Sequence, residues 1–459
     1  MGLKTALARL AAGAPTRCFA IVGAGADEIA PWLRLDPELA IVDSPRAADV
    51  LLVLGRFNED TLHAAAAVHD SMPPPRGVVS WSPRNEAARG LTFTDAVAVS
   101  DPSEIGSAAV RLRDELLSRR RASSPDILPD VDPAPWRGVG PFGQGGAGMT
   151  GGVPYGRPLA GRANDRDGLK LDQILVRVGP FLPPFPPGLM LDVKIQGDVI
   201  QDVTIPAAVL DDDSSVADEH HSSEAPGSTE AMTRFAAVQH DPFIAALMRP
   251  VPVADLELAR ARHHLAWLAE ALRVSGLEAY GRRVLKLART VRPEAAEPVD
   301  DLSRWLRRNL SLRWGTSGVG VVSASQAAAL PGGPVARAAG DGRDVRSLDP
   351  AYQRLGFMPV VLEVGDALAR WRLRVAEAQQ ALTLAKRSNG SVTTPSGLVE
   401  GLRGPMGARV SASTALVTML PELLVGMEWG DAVTAVVSLD IDMAEAAVLH
   451  DVAAEGRAS

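Results

Sequence analysis

VLLVL at residues 50–54 is an unbroken apolar run, bounded by Asp49 and Gly55. A run this short and apolar at every position fits a strand of a parallel sheet. CFAIVG at 18–23 and GVVSW at 77–81 are similar short runs, and segments of helical character separate the three. That alternation predicts an α/β domain with a parallel sheet. SEIGSAAVRLRDELLSRRR at 103–121 then reads as an amphipathic helix, opened by Ser103 as a cap and closed by a basic last turn. The first domain is expected to end there, at residues 1–121.

Residues 122–168 are rich in proline and glycine, which predicts an interdomain linker without regular structure, long enough to drape over a partner. Alternating apolar residues resume in LDQILVRVG at 171–179 and LMLDVKIQGDVIQDVTI at 189–205, with Gly197 and Asp198 forming a hairpin turn. The polar segment 211–230 reads as a loop. Beyond it, apolar residues recur every three or four positions over 253–287, 297–310, 361–387 and 414–427, the helical period. Residues 169–459 are therefore expected to form a mainly α-helical domain that opens with a small β-sheet.

The chain has 459 residues and 46% apolar composition, enough for two or three domains, and its net charge of −8 argues against nucleic acid as a partner. Residues 410–440 are the most apolar region, but Glu422, Glu428 and Asp431 interrupt them, so no membrane span is expected. The N-terminal apolar run is short and mixed, unlike a secretion signal, and the expected compartment is cytoplasmic. There is one cysteine, Cys18. It can form no intrachain disulfide, and alone it supplies neither the four thiolates of an iron–sulfur cube nor a structural zinc set.

SPRAADVLLVLG at 44–55 followed by MPPPRGVVS at 72–80 resembles the small subunit shared by [NiFe] hydrogenases and complex I, through Ser44, Pro45, Arg46, Ala48, Asp49, Met72, Pro73 and Pro75. The resemblance covers residues 18–120 and implies a flavodoxin-like domain. It also implies a C-x-x-C-E segment that ligates a cluster. Here that segment reads GAGADEI, with Ala24 and Asp27 at the cysteine positions and Glu28 retained. The third and fourth ligand positions fall near Arg84 and Asp101. An empty cluster site is the expectation, with Cys18 packed as a small apolar residue.

GPFLPPFPPGLMLDVKIQGD at 179–198 resembles the large-subunit family in its complex I branch, the quinone-site 49 kDa-type subunit. The two loop histidines that help form the quinone site there correspond to Leu182 and Pro186 here. GGPVARAAGDGRDVRSLDPAY at 332–352 and GDALARWRLRVAEAQQAL at 365–382 resemble two further stretches of that subunit, through Arg337, Asp344, Arg346, Tyr352, Asp366, Arg370, Arg374 and Glu377. ELARARHHLAWLAEAL at 257–272 fits its E-L-x-R-x-x-x-H-L helix. SLDIDMAE at 438–445 follows the cysteine-free complex I form, which implies no nickel. This resemblance covers 169–450, interrupted at 205–235, where the family's H-R-G-x-E-K insert is missing.

Other features carry bland readings. Asp211, Asp212, Asp213, Glu219, His220 and His221 read as a solvated loop and not a metal set, and GQGGAGMTGG at 143–152 as linker. NDRDG at 164–168 lacks the flanking ligands of a calcium loop. His263 and His264 sit on a helix where at most one can face the core, and both read as structural.

Taken together, the residues and the resemblance point to a fusion of the two electron-transfer subunits, with no Fe–S and no Ni–Fe. The expected role is a vestigial, non-catalytic subunit of a complex I-like or hydrogenase-like assembly, peripheral at the inner face of the cell membrane. Its partners would be complex I-like or antiporter-like membrane subunits. The competing expectations are a subunit of NADH:quinone oxidoreductase type that binds a quinone between its halves, with Asp440, Asp442 and Glu445 handling protons, and a soluble regulator with a repurposed pocket.

Overall fold

The structure is a computed structural model, and the residues it describes are 14–26, 29–57, 59–82, 93, 95–129, 160–165, 168–206, 242–395, 397, 399–406, 408 and 410–443. Asp27, Glu28, Arg84 and Glu445, the glycine run 143–152 and the polar segment 211–230 lie outside them.

The first half is built on five parallel strands: β1 (Thr16–Val22), β2 (Leu39–Ile41), β3 (Val50–Leu54), β4 (Gly77–Trp81) and β5 (Val97–Val99). They lie in the order β2-β1-β3-β4-β5. The helices are α1 (Ala30–Leu33), α2 (Glu59–Asp70) and α3 (Ile105–Leu117). Every residue of β3 is buried, and alternation sends its side chains to two cores. Val50, Leu52 and Leu54 pack with Leu33 of α1 and Ile105, Ala109 and Leu112 of α3. Leu51 and Val53 pack on the opposite face with Phe19, Ile21 and Ala65 of α2. This burial of VLLVL on both faces holds the layer structure together. β2 and β5, each three residues long, are too short to register as periodic runs.

The expected helix 103–121 is corrected at both ends. Asp101, not Ser103, is the cap: its carboxylate accepts from the Ser103 backbone N–H at 2.8 Å and opens a 3-10 turn before α3. The basic residues 119–121 lie beyond the helix, where Arg119 takes a left-handed φ of 57°. Residues 124–128 pack back on this half: the backbone N–H groups of Ile127 and Leu128 donate to Asp70, and Arg76 pairs with Asp126.

The second half begins with an antiparallel sheet of β6 (Gly161–Asn164), β7 (Lys170–Val178), β8 (Leu191–Gln196) and β9 (Val199–Thr204), in that order. Gly197 closes the β8–β9 hairpin at φ 65°, as its Gly-Asp pair predicts. β6 falls inside the stretch expected to lack regular structure. Its backbone pairs with β7, so ladder hydrogen bonds formed with a distant partner supply what local propensity does not.

The helices that follow are α4 (Pro242–Met248), α5 (Val253–Val274), α6 (Glu278–Thr290), α7 (Glu297–Arg308), α8 (Leu310–Thr316), α9 (Ala324–Ala329), α10 (Pro334–Ala338), α11 (Pro350–Arg354), α12 (Ala367–Ser388), α13 (Ala412–Leu424) and α14 (Trp429–Leu439). A two-strand ribbon of β10 (Val399–Glu400) and β11 (Pro405–Met406) precedes α13. Three expected helices are corrected. The 253–287 run is two helices, broken at Gly276 with φ 78°, which reverses the chain so that α6 packs back on α5. The 361–387 run starts only at Ala367, because Asp366 caps α12 by accepting from the Ala369 N–H at 2.7 Å. The 414–427 run stops at Leu424, and Gly426 at φ 87° separates it from α14. Among the described residues no helix is long and apolar enough to cross a membrane.

α5 and α12 form the centre of the helical half, where Leu265, Leu268 and Leu272 meet Trp371, Val375 and Leu382 in one core. The sheet rests on a second core with α13 and α14. The two halves of the chain are docked. Trp32 and Leu35 from the α1 region pack against the α5–α12 core. Phe181 reaches back to Phe57, with ring centroids 5.8 Å apart. Arg273 bridges the junction, 2.6 Å from Asp43 on one side and 2.5 Å from Glu270 on the other.

Candidate functional site

An open cleft lies between the halves, and a buried lattice of charges lies beneath it inside the second half. The cleft has a volume of about 1790 Å³. Its walls are largely apolar, with Trp32, Phe181, Leu182, Phe185, Leu258 and Ile441 among the lining residues. One wall is the proline-rich loop 180–187, which leaves the sheet at Gly179. Gly179 has φ 89°, and a Cβ there would stand 1.8 Å from the Leu189 carbonyl oxygen, so the loop's path demands glycine. The opposite wall reaches the carboxyl ends of the parallel strands, through Val22, Gly25, Arg56, Trp81, Ser100 and Pro102. This is the end at which open α/β sheets present ligand sites.

Asp440 lies at the cleft floor, directly after α14, in a left-handed conformation (φ 55°) that aspartate tolerates better than most residues. Its Oδ2 is 2.8 Å from His263 Nε2 and 2.9 Å from an Arg374 nitrogen. Arg403 donates to the Asp440 backbone carbonyl at 2.8 Å and pairs with Asp442 at 2.9 Å. Burial pushes the Asp440 carboxyl upward, but Arg403 and Arg374, with His263, outweigh it and hold the group well below the usual carboxylate range. Asp440 is therefore a fixed anion at neutral pH.

Behind this floor the arrangement continues into the protein interior. Arg374 Nη1 also lies 3.2 Å from His264 Nδ1, and since arginine only donates, that nitrogen accepts. His264 Nε2 then carries the proton and sits 3.2 Å from Glu377. Arg337, fully buried, lies 2.7 Å from Glu377, 2.7 Å from Glu400 and 3.0 Å from Asp344. Arg346 pairs with Asp344 at 2.8 Å and Glu257 at 3.3 Å, and Tyr352 donates to Glu257 at 2.7 Å. Arg370 donates to the Ser438 hydroxyl at 2.8 Å. Each of these charges would be costly alone in the interior, and the mutual pairing makes their burial tolerable. Burial drives His264 down to about 3 against the pull of Glu377, so it is neutral. Glu377, raised by burial but lowered further by Arg337 and His264, stays ionised.

The residues singled out from sequence distribute unevenly. Leu182 and Pro186 both line the cleft. Ala24 forms an isolated bridge with Arg56, donating and accepting at 3.0 and 3.1 Å, beside the cleft wall. Asp101 is spent on its cap and lies exposed. Cys18 is fully buried in β1, its thiol pushed up to about 12 by burial and then by Asp49. Asp440 and Asp442 come together at the floor.

His263 requires correction. It lines the cleft and pairs with Asp440 as well as packing edge-on against His264, which is the one buried in the core. Adjacent positions on a helix point about 100° apart, so the pair itself signals that one imidazole faces outward. Its partner Asp440 lies 177 residues away, and no local spacing could expose it. Arg374 and Arg403 join the site in the same way, through tertiary contact only.

Residues 268–400 match the family described as "Respiratory-chain NADH dehydrogenase, 49 Kd subunit". The chain is 36% identical over 126 residues to a D-type NADH-quinone oxidoreductase subunit of Salinispora arenicola, covering 27% of this chain and 31% of that protein. It is 37% identical over 92 residues to a D-type NADH-quinone oxidoreductase subunit of Rhizobium etli, covering 19% of this chain and 23% of that one. The chain thus spans less than a third of the length of these curated relatives. The matched segment contains most of the buried lattice, including Arg337, Asp344, Arg346, Arg370, Arg374, Glu377 and Glu400.

Proposed function

We propose that this chain is a subunit of a complex I-like assembly in which the two electron-transfer proteins are fused and their cluster chemistry has been given up. The observation that carries this reading is the position of Cys18. It is the chain's only thiol, and it lies inside the parallel sheet with its proton held tightly, so no thiolate set can form at the strand ends. The strand order β2-β1-β3-β4-β5 supports reading residues 1–121 as a flavodoxin-like, small-subunit-like domain. The match over 268–400 supports reading 169–459 as large-subunit-like. Residues 122–168 connect the two. The intact ion lattice supports retained architecture, with docking surfaces for membrane partners at the inner face of the cell membrane.

Anaerobic purification followed by iron analysis tests this. The expected result is no iron in proportion to protein together with co-purification of membrane subunits. Stoichiometric iron sinks the reading, and so does a monodisperse monomer that recovers no partner from solubilised membranes.

A second reading is favoured by the cleft itself: a large, mostly apolar open cleft with charged groups at its floor suits an amphipathic ligand such as a quinone. In this reading the loop positions Leu182 and Pro186 offer no hydrogen bond, and the proton handling expected of Asp440 is corrected: Arg403 and Arg374 hold it ionised, so it orients its partners and does not exchange a proton.

A further inference from the structure

We propose that His263, held by Asp440, is the hydrogen-bond acceptor of the cleft, and that the cleft takes an apolar molecule ending in a hydroxyl group. This deepens the second reading above and rests on it. The argument begins with the tautomer. His263 Nε2 lies 2.8 Å from Asp440 Oδ2, and a carboxylate can only accept, so Nε2 carries the proton and Nδ1 keeps its lone pair. Asp440 cannot release this arrangement, because Arg374 at 2.9 Å and Arg403 keep it anionic and in place. An imidazole oriented by a buried carboxylate, with its other nitrogen free, is poised to receive a proton donor.

Nδ1 meets that description. It has no hydrogen-bond partner among the described residues, and His263 lines the cleft. The side chain as a whole is only 20% exposed, which leaves a narrow approach from the cleft. Burial lowers the imidazole's proton affinity despite Asp440, in keeping with an acceptor at neutral pH. The groups near the ring are consistent with a neutral head and an apolar body: Arg374, Arg403, Asp440 and Asp442 are mutually paired, while Leu258, Ala266 and Trp267 flank the helix face. A ligand bearing only an ether or carbonyl oxygen would bring lone pair against lone pair at Nδ1, so of a quinone and its reduced form only the hydroxyl-bearing reduced form suits this acceptor.

The test titrates the full chain calorimetrically with 4-hexylphenol and with its methyl ether, which keeps the shape and removes the donor. The phenol is expected to bind at least about tenfold more tightly, the fold-change of one hydrogen bond to a shielded acceptor. His263→Phe, which keeps a ring without nitrogens, is expected to abolish the preference while leaving the ether's affinity near its original value. If that variant does not fold, the nitrogen resonance of His263 Nδ1 in the unaltered protein serves instead: it is expected to shift with the phenol and not with the ether. Equal affinity for the two compounds overturns the acceptor role while leaving the cleft as a ligand site. A preference that survives in His263→Phe, or an Nδ1 resonance that the phenol does not move, overturns it too. Failure of both compounds to bind overturns the cleft reading along with it.

Discussion

Replacing Arg337 with methionine should remove more stability than any other single change in the buried lattice. The guanidinium is fully buried and lies within 3.0 Å of three carboxylates, those of Glu377, Glu400 and Asp344. Methionine fills similar space, so the cavity contribution is small and the loss is electrostatic. Removing one partner of a buried ion pair costs about 3–5 kcal/mol, because the other charge remains desolvated. Here the upper end applies, since Glu377 would keep His264 as its nearest partner and Asp344 would keep Arg346. Glu400 offers partial relief: burial already raises its carboxyl, so it takes up a proton once Arg337 is gone. With a response of about 2–4 °C per kcal/mol for a unit of 150–250 residues, a loss of about 5 kcal/mol lowers the melting temperature by about 10–20 °C. Scanning calorimetry of the full chain measures it. The double variant Arg337→Met with Glu400→Gln should recover part of the loss, because the neutral amide no longer needs a counter-charge. A fall below about 2 °C, or a double variant that loses the sum of the two single effects, would refute the reasoning.

Three further outcomes are expected. The protein should weaken under mild acid: His264 titrates near 6.5 when unfolded and at about 3 when folded, so its contribution is whole above 6.5 and drains away as pH falls toward 3. The slope reaches about 1.4 kcal/mol per pH unit, seen as falling urea midpoints from pH 7 to pH 5, and a flat midpoint would contradict it. Gly179→Ala should shift the 180–187 loop and cost more than about 2 kcal/mol, since a Cβ meets the Leu189 carbonyl oxygen at 1.8 Å; unchanged melting would show that the loop has another path. Cys18 should resist alkylation in the native chain and react rapidly in denaturant, and mass spectrometry showing fast native labelling would place the thiol elsewhere than in the sheet core.

The layered order of the first half was legible because VLLVL, CFAIVG and GVVSW are apolar where a doubly covered strand must be, and side-chain alternation then assigns each residue to one of two cores. The helical period likewise located α5, α7, α12 and α13 but not their ends. Those depend on a capping carboxylate at Asp366 or a left-handed glycine at 276 and 426, single-residue signals that a periodic pattern overrides. β6 escaped notice because it has no apolar alternation, and pairing with β7 alone makes it a strand.

The chemistry divides along the same line. How many thiolates this chain can offer is fixed by composition, since it has one cysteine. Which residues share a site was settled only in three dimensions. Asp440 and Asp442 could be named from a local pattern, but His263, Arg374 and Arg403 reach them from other parts of the chain. Electrostatic interaction falls with distance through space and rises as water is excluded, and neither quantity is written in the spacing of residues along a chain.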